Sequence, residues 1–255
     1  MSSINTNVAS MTGQRWLAST ANSLQTSMAR LSSGLRVNSA KDDAAGMSIA
    51  SGLEAQARGM NVAIRNTNDA VSMTAMADGA LSSISSNMQR MRELAVQGAT
   101  AGANTAALTG EWDLLVAENT RVIGNTKFNG INLMAANTST IQVGANSGET
   151  IAFSTAAAVQ TAAAGTLSIT AVDTDLGVIN GVRASYGATQ NRFESVIANL
   201  RVGAENFSAA KGRIVDADYA QETSNLSRAQ VLQQAGTAMV AQANQGPQGV
   251  LALLR

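Results

Sequence analysis

Cysteine and histidine are both absent from the 255 residues. Without them there is no disulfide framework, no zinc site of the usual type and no Ser/His nucleophilic triad. Proline occurs once, at Pro247, so more than two hundred residues run without anything that forbids a long helix. Aromatic residues make up only 3% of the chain, which suits thin, closely spaced helices better than a thick globular core. Charge of one sign is lacking too: 17 basic residues balance 17 acidic ones, and no net field draws the protein to nucleic acid or to an anionic membrane. No apolar run is long enough to span a bilayer. The N-terminus, Met1-Ser2-Ser3-Ile4-Asn5-Thr6-Asn7, has no basic start followed by an apolar stretch, so a cleaved secretory signal is not expected. Neither GxGxxG nor a Walker-type loop occurs, and nucleotide binding lacks its usual phosphate cradle.

What remains is rich in Ala and Met within a hydrophobic content of 45%, enough for a real core. The two ends carry much of it. Leu17, Ala21, Leu24, Met28, Leu31 and Leu35 recur at alternating spacings of four and three, one stripe of a helix. Leu232, Ala235, Met239 and Ala243 draw a second stripe, and the sequence closes on Val250-Leu251-Ala252-Leu253-Leu254-Arg255. Ordering about 30 residues of backbone costs roughly 1–2 kcal/mol each, and burying a Leu or Met returns only about 1.5–3 kcal/mol. Each end alone is therefore expected to be largely disordered. Two such helices seek each other and the same helices on neighbouring copies. Leu24, Met28, Leu31, Leu35, Leu232, Met239, Val250, Leu251, Leu253 and Leu254 are the candidate assembly residues.

Between the ends the pattern predicts a very long amphipathic helix over 44–99. Leu53, Ala57, Met60, Ile64, Thr67, Val71 and Thr74 alternate by four and three, and after a one-residue phase slip at Ala77 the pattern resumes with Leu81, Ile84, Met88, Met91 and Ala95. A shorter helix is expected around 109–124. Phe128-Asn129-Gly130-Ile131 reads as a turn, and Thr140–Val143 with Thr150–Phe153 as a hairpin around Gly144-Ala145-Asn146-Ser147-Gly148. The Ala/Thr-rich stretch 154–165 is too simple to specify a packed domain, and Thr166–Val172 is expected to add one strand. Asp173 or Thr174 is the expected cap of a last long helix. There Ile179, Val182, Tyr186, Thr189, Phe193, Val196, Leu200, Gly203, Phe207, Ala210 and Ile214 keep a strict three-four alternation. The expected fold is mainly α, a long antiparallel α-helical coiled-coil bundle with a small β-hairpin region.

Four motifs in order carry a specific resemblance. Leu31-Ser32-Ser33-Gly34-Leu35-Arg36-Val37-Asn38-Ser39-Ala40-Lys41-Asp42-Asp43-Ala44-Ala45-Gly46, Met88-Gln89-Arg90-Met91-Arg92-Glu93-Leu94-Ala95-Val96-Gln97, Phe128-Asn129-Gly130, and Leu232-Gln233-Gln234-Ala235-Gly236 with Ala241-Gln242-Ala243-Asn244-Gln245-Gly246-Pro247-Gln248 resemble bacterial flagellins over nearly the whole chain. The resemblance implies a flagellin inner-domain fold. In it 1–43 and 221–255 supply an inner-tube domain, and 44–172 with 173–220 supply the two halves of a helical wall domain. It implies a structural subunit, not an enzyme, that polymerises into the flagellar filament used for swimming. Export would run through the flagellar channel to an extracellular flagellum. The implied partners are other copies of the chain, a dedicated export chaperone at the C-terminal helix, and the filament cap and junction proteins. Animal Toll-like receptor 5 is implied as well, meeting Gln89, Arg90, Leu94 and Glu111. The large outer domain common in the family has no room here. No cofactor or metal is implied, and Asp42-Asp43 and Asp216/Asp218 read as helix-terminal or solvated charge. The alternatives are a hook–filament junction protein and a monomeric helical binding module.

Overall fold

A computed structural model describes residues 6–155 and 162–252, with side chains as far as Gln245. The helices are α1 (Val8–Ser33), α2 (Ala44–Gly98), α3 (Thr105–Asn125), α4 (Ile169–Val215) and α5 (Tyr219–Ala252). Two antiparallel hairpins separate α3 from α4: β1 (Lys127–Phe128) with β2 (Ile131–Asn132), and β3 (Asn137–Gln142) with β4 (Thr150–Thr155). The chain divides into two compact units, residues 1–54 with 207–255 and residues 55–206.

The larger unit is built on α2 and α4. At 55 residues α2 is about 80 Å long. Its buried line runs Ala63, Thr67, Ala70, Thr74, Ala77, Leu81, Ile84, Met88, Met91 and Ala95, alternating four and three straight through Ala77. The expected slip at that position does not occur, because the small Ala63 and Ala70 take the innermost places and the bulkier Ile64 and Val71 stand half-buried beside them. Thr67 and Thr74 sit in this line without unsatisfied hydroxyls: each donates to the carbonyl four residues back, at 2.7 Å. From α4, Val172, Ile179, Tyr186 and Phe193 close the core with Trp112, Leu133, Met134, Ile151 and Phe153. The helices run antiparallel, as Arg92–Asp173 at 2.6 Å and Arg183–Asp78 at 2.9 Å require.

Local chemistry sets the boundaries. The side chain of Asn104 accepts from Ala107 N and starts α3 four residues earlier than the periodicity suggests. Asn129 and Gly130 both take positive φ, 47° and 82°, the tight hairpin turn their sequence favours. In β4, Ile151, Phe153 and Thr155 point inward alternately, and the ring of Phe153 lies 5.8 Å from that of Tyr186. The expected strand over Thr166–Val172 is not formed. Ser168 Oγ accepts from Ala171 N at 3.3 Å and α4 begins at Ile169, because Val172 and Asp175 are wanted in the core on a helical spacing. Asp173 therefore lies inside the helix and pairs with Arg92 instead of capping it. Asp175, fully buried, accepts from Ala162 N at 3.0 Å. Trp112 Nε1 donates to Ala163 O at 3.0 Å, and Gly165 N donates to Asp113 at 2.7 Å. These bonds hold 162–165 onto α3 and α4.

In the other unit α1 ends at Gly34, whose φ of 72° and N–H to Arg30 O form a left-handed cap. Leu35 then bridges to Asp216, and Ala217 N donates to Gly34 O at 2.9 Å. The acidic pairs are structural. Asp42 accepts from Asn38 N, Ser39 N and Ser39 Oγ. Asp43 accepts from Gly46 N at 2.8 Å at the start of α2, and Asp218 from Ala220 N at 2.9 Å at the start of α5.

Candidate assembly surface

The two terminal helices pair antiparallel through unusually small and polar faces. Along α1 the residues turned inward are Ser10, Gly13, Leu17, Thr20, Leu24, Ser27 and Leu31, and along α5 they are Glu222, Leu226, Ala229, Gln233, Gly236, Val240 and Ala243. Both sets alternate by three and four. Glycine allows the close approach. A Cβ on Gly13 would stand 2.8 Å from Val240 Cγ2, and one on Gly236 3.2 Å from Leu17 Cδ1. Polar ties fix the register: Arg30 Nη1 to Glu222 Oε1 at 3.0 Å, Tyr219 Oη to Leu31 O at 3.2 Å, and Asn7 Nδ2 to Ala243 O at 2.7 Å.

Several other large apolar side chains of this pair are exposed. Trp16 is 71% exposed, Met239 67%, Leu232 52% and Met28 48%. Trp16 and Leu232 wall a groove of about 620 Å³ between α1 and α5, with Arg30, Glu222 and Arg228 on its floor and rim. Val8, Met11 and Val231 are exposed as well. Of the assembly residues expected from sequence, Leu24 and Leu31 are half-buried toward α5, Leu35 is half-buried in the bridge to Asp216, and Met28, Leu232 and Met239 face outward. Val250 and Leu251 belong to α5, but their side chains, like Leu253 and Leu254 altogether, lie outside the described residues. Trp16, Met11 and Val231 escape a reading based on the leucine stripe. The signal for them is the alternation from Ser10 through Ser27, which turns the true inner face away from Met28.

On the larger unit, Arg90 Nε donates to Glu111 Oε1 at 2.8 Å and Nη1 to Glu93 Oε2 at 2.9 Å. Donating to both carboxylates raises the Arg90 pKa, so the guanidinium stays charged at any working pH. Gln89 is exposed beside this network. Leu94 is placed differently from the other three residues expected at a receptor surface: at 1% exposure it belongs to the core, not to the surface. Among the described residues no cluster of acidic side chains could hold a metal ion, and no helix is long and apolar enough to cross a membrane.

Residues 4–140 match the bacterial flagellin N-terminal helical region, and residues 169–254 the bacterial flagellin C-terminal helical region. The chain belongs to the bacterial flagellin family. A flagellin of Halalkalibacterium halodurans is 42% identical over 99% of both chains. The flagellar filament 33 kDa core protein of Treponema phagedenis is 37% identical, again over 99% of both. Flagellin D of Vibrio anguillarum is 31% identical over 98% of this chain and 99% of its own length. That alignment spans 372 positions, well beyond the 255 residues here, so the Vibrio protein carries residues with no counterpart in this flagellin. This flagellin is accordingly a structural protein and not an enzyme. It is a subunit that polymerises into the extracellular filament of the bacterial flagellum and serves swimming motility, and its partner in that filament is the same chain.

Proposed function

We propose that this flagellin polymerises through the outward faces of the α1–α5 pair, with Met28, Leu232 and Met239 among the contacts and Val250, Leu251, Leu253 and Leu254 completing them. In this reading 1–43 and 221–255 form the inner tube of the filament, and 44–172 with 173–220 form its wall. One observation carries it. Large apolar side chains of the terminal helices, Trp16, Met28, Leu232 and Met239 among them, stand exposed on the single chain, and its partners are further copies. The same apolar C-terminal helix is the part an export chaperone would shield before the subunit passes through the flagellar channel. Junction and cap proteins would meet the first and last subunits through the same faces.

The test is electron microscopy of seeded, concentrated protein. Wild type forms long uniform filaments of narrow diameter, and a chain lacking residues 245–255 keeps α2 and α4 folded by circular dichroism but forms none. Normal filaments from the truncated chain would show those residues to be dispensable. For the monomer, we assign recognition by Toll-like receptor 5 to the exposed Gln89, Arg90 and Glu111, with the buried Leu94 supporting that stretch of α2 from within. In reporter cells Arg90→Ala and Glu111→Ala lose signalling, and a wild-type monomer that fails to signal refutes the assignment.

A further inference from the structure

Nine of the eleven methionines are clearly buried or clearly exposed. Met73, Met88, Met91 and Met134 are buried in the core of the larger unit, whereas Met11, Met28, Met47, Met76 and Met239 are exposed. With no cysteine in the chain, the thioethers are the side chains that a mild two-electron oxidant reaches first. Three of the exposed set, Met11, Met28 and Met239, stand on the terminal helices, and the last two are among the assembly contacts proposed above. Met239 lies seven residues, two helical turns, beyond Leu232 on the same line of α5, and Met28 projects from α1 away from the inner line of Leu24, Ser27 and Leu31. Neither residue belongs to the core of the larger unit, so a change at either leaves that core alone.

We infer that Met28 and Met239, at opposite ends of the α1–α5 pair, are two oxidation-sensitive positions that control polymerisation: a peroxide-class oxidant converts them to sulfoxides on the free subunit and removes it from the assembly-competent pool. The step balances without a cofactor. The thioether sulfur attacks one oxygen of hydrogen peroxide, an S–O bond forms as the O–O bond breaks, and the departing hydroxide takes the remaining proton to leave as water. Sulfur loses two electrons and peroxide gains them. A flexible apolar side chain becomes a polar one in a place that must be dehydrated on assembly, and a sulfoxide oxygen buried there without a donor is costly. Incorporated subunits are protected because their neighbours cover the same sulfurs. Sulfoxide reductases reverse the change. This inference rests on the assembly face proposed above.

The experiment uses full-length monomer and hydrogen peroxide, followed by peptide mass mapping and seeded polymerisation read by light scattering. Met28 and Met239 should oxidise before Met73, Met88, Met91 and Met134, and the critical concentration should rise by about tenfold or more. In preformed filaments the same two residues should stay reduced. The Met28→Leu/Met239→Leu variant, measured against its own unoxidised critical concentration, should show no change after peroxide. Equal loss of polymerisation in that variant, or normal polymerisation of oxidised wild type, overturns the inference. Met239→Gln, a polar side chain of similar length, separates the two claims without oxidant. If it polymerises normally, the assembly face itself is wrong and the inference falls with it; if it fails while oxidised wild type still polymerises, only the redox inference is overturned.

Discussion

Asn7 supplies the hydrogen bond that Pro247 cannot: its Nδ2 donates to the carbonyl of Ala243 at 2.7 Å, the group that the residue four positions on would serve if it had an N–H. Its Oδ1 accepts from Ser10 N at 3.0 Å and caps α1. One side chain therefore starts the first helix and satisfies a carbonyl left open near the end of the last. Asn7→Ala should cost about 1–2 kcal/mol from the lost cap alone. Asn7→Asp keeps the cap but loses the donor, and it should be rescued by Pro247→Ala. Calorimetric melting of filaments across this double-mutant cycle measures the coupling, and additive effects would sink the account.

The Arg30–Glu222 pair gives the same helix contact a dependence on acid. The Glu222 side chain is only 9% exposed. Burial works against its charge, and the hydrogen bonds from Arg30 and Ser27, the Arg30 charge and Asn225 together outweigh it, so its carboxyl titrates below the ordinary range. A carboxylate depressed in the folded state stabilises fully above its unfolded pKa, and that contribution is lost as pH falls through the folded value. Glu222→Ala should cost about 1–3 kcal/mol near neutrality, because Arg30 is left facing a partly buried gap. Glu222→Gln should lie below wild type at pH 7 and converge on it as pH drops below about 4. A constant gap in melting temperature from pH 7 to pH 3 would assign the pair no ionic role.

How far the sequence leads depends on side-chain size. Where one line of large residues meets a core, as at Ile179, Tyr186 and Phe193, period alone places the residues and the helix. Where inner positions are small, period misleads: Ala63 and Ala70 look like fillers beside Ile64 and Val71, yet they are the buried pair. The assembly face shows the same limit. Met28, Leu232 and Met239 stand out in the sequence as apolar, but only the positions of Ser10, Gly13 and Gly236 reveal which side of the helix pair they occupy. The start of α4 was hidden because Thr166–Val172 is β-branched enough to resemble a strand, and only tertiary demand for Val172 and Asp175 decides against it.

Glycines on α2 should separate packing from propensity. A Cβ on Gly59 would meet Ala145 Cβ at 2.8 Å and its Cα at 3.1 Å, at the tip of the β3–β4 hairpin, whereas one on Gly79 meets nothing within 4 Å. Gly79→Ala should therefore stabilise by about 0.5–1 kcal/mol, the ordinary gain of Ala over Gly in a helix. Gly59→Ala should lose about 1–2 kcal/mol despite the same gain, because the hairpin backbone must move. Urea unfolding of the monomer measures both. Faster exchange of the Val143 amide, which donates to Glu149 O at 2.8 Å, should mark the displaced tip in Gly59→Ala only.

The two tryptophans report on assembly directly. Trp112 is fully buried, with Nε1 bonded to Ala163 O, while Trp16 stands 71% exposed at the mouth of the α1–α5 groove. Trp112→Phe removes one hydrogen bond and some volume from the core, a loss of about 1–2 kcal/mol, and leaves Trp16 as the sole indole. In monomers of that variant, acrylamide should quench the emission nearly as well as it quenches a free indole. On polymerisation the emission should shift to the blue and the quenching constant should fall severalfold, because neighbouring subunits replace water around the ring. Filaments in which Trp16 stays as quenchable as in the monomer would place the contact elsewhere on α1 and α5, and the outward apolar face would then lose its role in assembly.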